Sequence, residues 1–275
     1  MLDPPTVWSI GGDIPPPIDH TLLIAVDAGN THTVVGLFDG DRLVDRWRIA
    51  TNAARTSDEH ALLVGQFLAQ HGAGFGHVSG LVVSSTVPRL TAVLRTLAER
   101  YLSVTPVVLE PGTRSGIPIL YDNPRQVGPD RIANAVAAWE GYGGPTIMVD
   151  FGTATTVDAI SAKGEYLGGA ILPGIEISLD ALFARAAALS WVELVTPKRV
   201  IGKTTAESVQ SGVLYGFASA VDGLVERFQA ELGPCTVVST GGLAELMTPL
   251  SATIAHHEPD LTLQGLRLIH AMNCP

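Results

Sequence analysis

A chain of 275 residues with 46% hydrophobic and 16% charged side chains is long and apolar enough for one large core or two medium ones. Its formal charge of −10, with no basic run, excludes nucleic acid and acidic membrane as partners, since neither attracts a negative body. Cys235 and Cys274 stand far apart and outside any C-x-x-C, which excludes a disulfide framework and a structural zinc site and points to a reducing cytoplasm.

No apolar run approaches the roughly 18 residues that span a bilayer, and residues 1–20 lack the cationic start of a signal peptide. With Pro4, Pro5, Pro15, Pro16, Pro17 and Gly11-Gly12, they read as an extension that resists both helix and sheet. Residues 22–26 then form an apolar run the length of a buried strand, ending at Asp27. A turn of Gly29, Asn30 and Thr31, a β-branched run over 33–38 and a turn at Asp39-Gly40 complete a β-hairpin with a polar tip.

The same order recurs downstream as 147–149, Asp150, a Gly-Thr turn, 155–160 and Lys163-Gly164. Setting Asp27 against Asp150 (150 − 27 = 123) matches IAVDAGNTHTVV with IMVDFGTATTVD, an internal repeat. Glycine lets backbone amides approach an anion, Thr hydroxyls donate to phosphate oxygens, and a carboxylate at a strand end holds the cation that accompanies a polyphosphate. Two facing tips of this kind suit one nucleotide phosphate chain; a pair of ordinary hairpin turns is the competing reading. Asp150-Phe151-Gly152 also spells a protein-kinase tripeptide, but no G-x-G-x-x-G loop or H-R-D precedes it, which excludes that reading.

Between the hairpins the pattern predicts a strand over 42–49 and a helix over 57–70 with Leu62, Leu63, Phe67 and Leu68 on one side. A strand over 81–86 follows, then a helix from Pro88 carrying Leu90, Val93, Leu94, Leu97 and Tyr101, and a short strand over 107–109. Pro129 suits the first position of a helix that runs to Gly141 with Ile132, Ala135, Val136 and Trp139 on its apolar side. Asp130 and Arg131 then occupy its first turn, where the dipole favours a carboxylate. An Asp there either caps the helix or accepts a proton from a substrate hydroxyl, and Arg131 is either a surface cation or the holder of a substrate carboxylate.

After the second hairpin, residues 171–190 predict a helix-rich connection, and Thr204 with Glu207 forms a capping box opening a helix to about residue 231. Its stripe of Val209, Val213, Phe217, Val221, Leu224 and Phe228 reads as core-facing, with a subunit interface as the alternative, and Gly212 and Gly216 leave a shallow groove. A strand over 236–239, a Thr240-Gly241-Gly242 turn, a solvated His256-His257 loop and a helix over 262–272 complete the chain. Hairpin followed by alternating helix and strand, twice over, is the order of a duplicated ribonuclease-H-like α/β fold, with one domain over 21–140 and a second over 141–275.

DAGNTHT at 27–33, YDNPRQVGPDR at 121–131, DFGTATTVD at 150–158, GGAILPG at 168–174, the 205–212 stretch and STGGLAE at 239–245 together resemble the type III pantothenate kinases. The resemblance spans roughly residues 22–270 and is far more specific than any one motif. It implies an actin-like ATPase fold, shared with acetate and sugar kinases and Hsp70, whose two domains close over ATP. It also implies ATP-dependent phosphorylation of pantothenate to 4′-phosphopantothenate, the first step of coenzyme A biosynthesis.

Carried over by position, the resemblance implies ATP contacts from Asp27, Ala28, Gly29, Asn30, Thr31, His32, Thr33 and Val34, from Thr153, and from Gly241 and Gly242. Asp27 is expected near magnesium, through water, and Asp150 at a monovalent cation, potassium or ammonium. Tyr121, Gly128, Pro129, Asp130, Arg131 and Thr205 are expected to contact pantothenate, with Asp130 as general base. A homodimer whose active site draws on both subunits is implied too, which makes the long helix an interface candidate. Lys203-Thr204 departs from the Asn-Thr of many members. Two outcomes compete: a non-catalytic regulatory or accessory relative, against which the intact DAGNT and DFGTATT count, and an acetate or sugar kinase, which is not expected to carry YDNPRQVGPDR.

Overall fold

A computed structural model of the chain describes residues 21–186, 189 and 191–274, so the reading of residues 1–20 as an extension lies outside the described residues. The first sheet contains β1 (Leu22–Ala28), β2 (His32–Asp39), β3 (Arg42–Ala50), β4 (Val78–Ser85) and β5 (Val107–Val108) in the order β3-β2-β1-β4-β5. The second contains β6 (Thr146–Phe151), β7 (Ala154–Ile160), β8 (Tyr166–Pro173), β9 (Thr236–Thr240) and β10 (His256–His257) in the order β10-β9-β6-β7-β8. Read from opposite ends the two orders are the same: three antiparallel strands in sequence, then two parallel ones on the far side of the first.

The repeat is not perfect. β1 and β2 pair Ala28 with Thr33 across a tip of Gly29, Asn30 and Thr31, whereas β6 and β7 pair Phe151 with Thr155, leaving only Gly152 and Thr153 between the strands. The second tip is therefore one residue shorter.

Helix α1 (Ser57–Ala69) starts where Thr56 accepts the Glu59 amide and Glu59 accepts the Thr56 amide in return, a capping box one residue ahead of the predicted start. Its buried side is Ala61, Val64 and Leu68, and Leu62, predicted on that side, is 70% exposed. With α2 (Pro88–Leu97), whose Leu90, Leu94 and Leu97 are buried as the spacing predicts, it covers the outer face of the first sheet. The outer face of the second sheet is covered by α4 (Ile175–Arg185), α5 (Thr205–Leu232) and α6 (Ala244–Met247).

Three corrections fall in this half. Residues 171–173, predicted to begin a helix-rich connection, finish β8 instead, because the apolar run from Tyr166 pairs antiparallel along the whole of β7 and only then turns at Gly174 into α4. On α5 the most deeply buried line is Leu214, Ala218, Val221 and Val225, while Val213, Phe217, Leu224 and Phe228 pack at its margin. The Thr204 hydroxyl caps the Glu207 amide as expected, but Glu207 reaches back to the Lys203 amide rather than to that of Thr204.

Between the sheets lie α3 (Pro129–Tyr142) and α7 (Leu261–Asn273), packed on each other. α3 also contacts β4, β6 and β7, and α7 contacts β1 and β4, so a chain segment that follows the second sheet returns to the first. Their shared core joins Leu23, Ala25 and Val82 of one sheet to Met148 and Val238 of the other through the small residues Ala133, Ala135 and Ala138 and through Leu263, Leu266 and Ile269. Burying each such Leu or Ile contributes roughly 1.5–3 kcal/mol before chain entropy is counted.

The two helices cross where Gly265 faces Ala133, so closely that a Cβ on Gly265 would overlap the Ala133 carbonyl. Gly265→Ala is expected to cost about 1–3 kcal/mol by forcing the pair apart, read as a lowered denaturant midpoint; an unchanged midpoint would show that α3 and α7 separate freely.

Candidate active site

The matching strands β1 and β6 both run out into one cleft of about 580 Å³, and each carries at its next-to-last position an aspartate that lines it. Asp27 accepts a hydrogen bond from Ser84 Oγ of β4 at 2.9 Å. Asp150 accepts one from Asn134 Nδ2 of α3 at 3.0 Å, and the Asn134 carbonyl oxygen accepts in turn from Thr262 Oγ1 of α7 at 2.7 Å. Thr262 thus fixes which way the buried Asn134 amide points. The two central helices thereby orient a group at the end of the second sheet.

Asp130 joins these two on the floor of the cleft, delivered by the first turn of α3 after Pro129, as the Pro-Asp pair predicts. Gly128 makes room for it, since a Cβ there would overlap Asp130 Oδ1. Burial, and then the charge of Asp130, push the Asp27 and Asp150 carboxyls up from the usual 3.8 to about 7. Asp130 is itself raised, chiefly by burial, with the Arg131 amide working in the opposite direction.

Among the described residues no Arg or Lys is ion-paired to any of the three. Converging carboxylates without a basic partner are a hard-oxygen donor set, which suits magnesium or an alkali cation. Among the described residues, no group of three His, Cys, Asp or Glu is disposed to hold a metal ion unaided. A cation that fits here therefore completes its shell with water and ligand oxygens.

The two tips meet over this floor. Thr31 Oγ1 and Thr153 Oγ1 are 3.0 Å apart, joining the first repeat to the second. Strand alternation sorts the first loop into two sets. Asp27, Gly29, Asn30, His32 and Val34 line the cleft, whereas Ala28 and Thr33 are buried behind it. Thr33 Oγ1 lies 2.8 Å from Thr51 Oγ1, which donates to the Gly29 carbonyl, so Thr33 braces the loop from the rear. Thr153, Gly241 and Gly242 also line the cleft. Gly241 has φ +96°, and a Cβ there would lie 2.7 Å from the Phe151 backbone, so only glycine fits.

Of the other predicted residues, Tyr121 is half-buried with its ring beside Tyr166, and Thr205 begins α5 at an exposed position that does not line the cleft. Arg131 is neither at the surface nor open to solvent. It is 7% exposed and commits Nε (2.9 Å) and Nη2 (2.5 Å) to Asp158 Oδ1 in β7, while Asp158 also accepts from Tyr166 and Thr156 hydroxyls. This buried fork ties the start of α3 to the second sheet and so fixes the bearing of Asp130.

Several lining residues escaped the sequence reading: Arg46 and Arg48 of β3, Glu176 of α4, and His257. The R-W-R alternation over 46–48 carried the signal, since it puts two arginines on one face of the strand that pairs with the first loop's own strand. His256-His257 is corrected from a solvated loop to β10, parallel to β9, with His257 Nδ1 3.3 Å from Ser239 Oγ.

Two sheets of like topology with a carboxylate-floored cleft between their first hairpins define an α/β protein with the actin-like ATPase fold. Solved structures agree on the fold. A protein described as a Baf family transcriptional activator from Campylobacter jejuni aligns over 92% of this chain and 97% of its own (TM-score 0.55, 19% identity). The Acidaminococcus fermentans (R)-2-hydroxyglutaryl-CoA dehydratase component A aligns over 90% and 95% (TM-score 0.54, 14% identity). The sequence is more specific. A model of the family described as type III pantothenate kinase matches residues 23–227. Proteins of that name from Streptomyces griseus and Myxococcus xanthus are 52% and 51% identical over 92% of this chain and 98% and 99% of their own lengths. The chain belongs to the type III pantothenate kinase family.

An acid whose folded pKa is raised binds its proton more tightly folded than unfolded, so between roughly pH 4 and 7 stability falls as pH rises. The ligand-free protein is expected to weaken across this window, and Asp27→Asn to weaken less. Denaturant midpoints measured across the window check this, and a pH slope as steep in the variant as in the wild type would contradict it.

Proposed function

We infer that the chain phosphorylates pantothenate with ATP to give 4′-phosphopantothenate, the entry step of coenzyme A biosynthesis. Half of the residues are shared with pantothenate kinases over nearly the whole length, and the cleft holds what such a transfer requires. The observation that carries the reaction type is Asp130: an unpaired, partly desolvated carboxylate at a helix start, facing two threonine-tipped loops that meet at 3.0 Å.

In this reading the substrate's primary hydroxyl lies against Asp130, which accepts its proton. The hydroxyl oxygen forms the new bond to the γ-phosphorus, the bond from that phosphorus to the β,γ-bridging oxygen breaks, and ADP leaves with the bridging oxygen. Burial raises the basicity of Asp130 and so suits it to take a proton as the oxygen–phosphorus bond forms. Thr31, Thr153 and the glycine-bearing tips position the phosphates, and most of the acceleration comes from positioning and fixed dipoles. Magnesium bound with ATP neutralises phosphate charge; Asp27 would hold it through water, and Asp150 would hold a potassium or ammonium ion.

Tyr121, Gly128 to Arg131 and Thr205 are assigned to pantothenate. Thr205 lies outside the cleft of its own chain, so in this reading it reaches pantothenate bound to a second subunit of a homodimer. The exposed Val200 and Ile201 just before α5, and the open groove at Gly212 and Gly216, support an interface there. The domain division at about residue 140 falls at the end of α3, and a reducing cytoplasm is the compartment that fits the reaction.

Asp130→Asn is expected to fold and to bind both substrates while kcat falls about 10²- to 10⁴-fold, read in a coupled ADP-release assay. Turnover near the wild-type level would remove Asp130 as the base. Rates are expected to be higher in potassium or ammonium than in sodium alone, and to lose that preference in Asp150→Asn; equal rates in all three salts would sink the cation assignment.

A further inference from the structure

A polyphosphate in this cleft meets the floor carboxylates Asp27, Asp130 and Asp150, with Glu176, Glu245 and Asp260 also on the lining, so any cationic side chain there bears directly on binding. The lining residues include two, Arg46 and Arg48, both on the exposed-edge strand β3. Arg46 is already ion-paired to Asp260 at the start of α7. Arg48 has no carboxylate within ion-pair distance among the described residues.

Arg48 is held in place without being neutralised. Its Nη2 lies 2.8 Å from His32 Nδ1 of the first loop. Burial, and then the charge of Arg48 itself, lower the affinity of His32 for a proton, so the imidazole is a neutral acceptor that leaves the guanidinium its full charge. The other side of the fork reaches the second repeat: a Cβ on Gly242 would come within 3.0 to 3.3 Å of Nη1, Nη2 and Cζ. A bulkier residue at 242 would therefore press on the guanidinium. Arg48 thus spans from the tip of one repeat to the turn after β9 in the other, across the mouth of the space the two loops enclose. A planar fork with free N–H groups in that position matches phosphate oxygens.

We propose that Arg48 is a phosphate-binding residue, its guanidinium contacting the polyphosphate of a nucleoside triphosphate held between the two loops. This rests on the reading of the cleft as an ATP site. The class of ligand is any nucleotide with at least a diphosphate, and the contact is to the phosphates and not to the base or sugar.

The test compares wild type with Arg48→Ala, Arg48→Gln and Arg48→Lys by equilibrium binding of ATP, ADP and adenosine in magnesium, and by steady-state turnover. Removing the fork in Ala or Gln is expected to weaken ATP and ADP about 10- to 100-fold, the range of a charge-assisted hydrogen bond, while adenosine changes less than about twofold. Lys, which keeps the charge without the fork, is expected to fall between. In turnover, KM for ATP rises and KM for pantothenate stays within about twofold. Gln preserves the stem beside His32 and gives the same readout if Ala unfolds. Equal losses for ATP and adenosine, or unchanged ATP binding in a folded variant, overturn the proposal. A wild type that binds magnesium-ATP but transfers nothing to pantothenate refutes the pantothenate reading instead, and the dependence on phosphate number still decides the role of Arg48.

Discussion

Everything in the cleft depends on keeping three aspartates in one cleft with, among the described residues, no Arg or Lys ion-paired to any of them. Burial and mutual repulsion both resist this, and the fold opposes them with rigid anchors. Asp27 is pinned by Ser84 on the neighbouring parallel strand, Asp150 by Asn134, and Asp130 by the start of α3, which the Arg131–Asp158 fork fastens to β7. An arginine in salt-bridge contact would relieve the strain and also occupy the place of the cation that a nucleotide brings. The two cations that do line the cleft stand on β3, at its side, where they can meet phosphate without filling the carboxylate floor.

This arrangement transmits packing into chemistry. Asp130 and Asn134 lie on one helix, a turn apart, and that helix is set by its contact with α7 through Gly265 and the alanines around Ala133. Small residues at the crossing let the two backbones approach, and close approach gives α3 a single well-defined bearing. The hydroxyl of Thr262 then carries the position of α7 through the Asn134 amide to Asp150. The site is thus a product of the core between the sheets more than of either sheet alone.

Much of this was legible in the sequence because it is local. Short apolar runs ending in Asp, a Gly-Asn-Thr tip and the recurrence of this order 123 residues later identify both hairpins, and Pro129 places Asp130 on a helix start. Features that depend on pairing or on the facing surface were not legible. Strand β8 exists because β7 offers it an edge, a fact outside residues 171–173 themselves, and Leu62 was misplaced because Ala61 and Val64, rather than the larger leucine, face the sheet. The burial of Arg131 was not legible because its partner Asp158 lies 27 residues away on another element. The arginines of β3 were visible as residues but not as neighbours of the loops.

The return of α7 to the first sheet has a consequence for biosynthesis. Strands β1 and β4 are made early, yet the apolar surface they turn toward the middle of the molecule is covered by Leu263, Leu266 and Ile269. A nascent polypeptide emerging from the ribosome must carry that surface uncovered while the 175 residues between Ser85 and Leu261 (260 − 85) are still being added. The first sheet accordingly lacks part of its cover until α7 is made, and a chain ending before residue 261 would leave the face of Leu23, Ala25 and Val82 without it, the kind of uncovered apolar surface that favours aggregation.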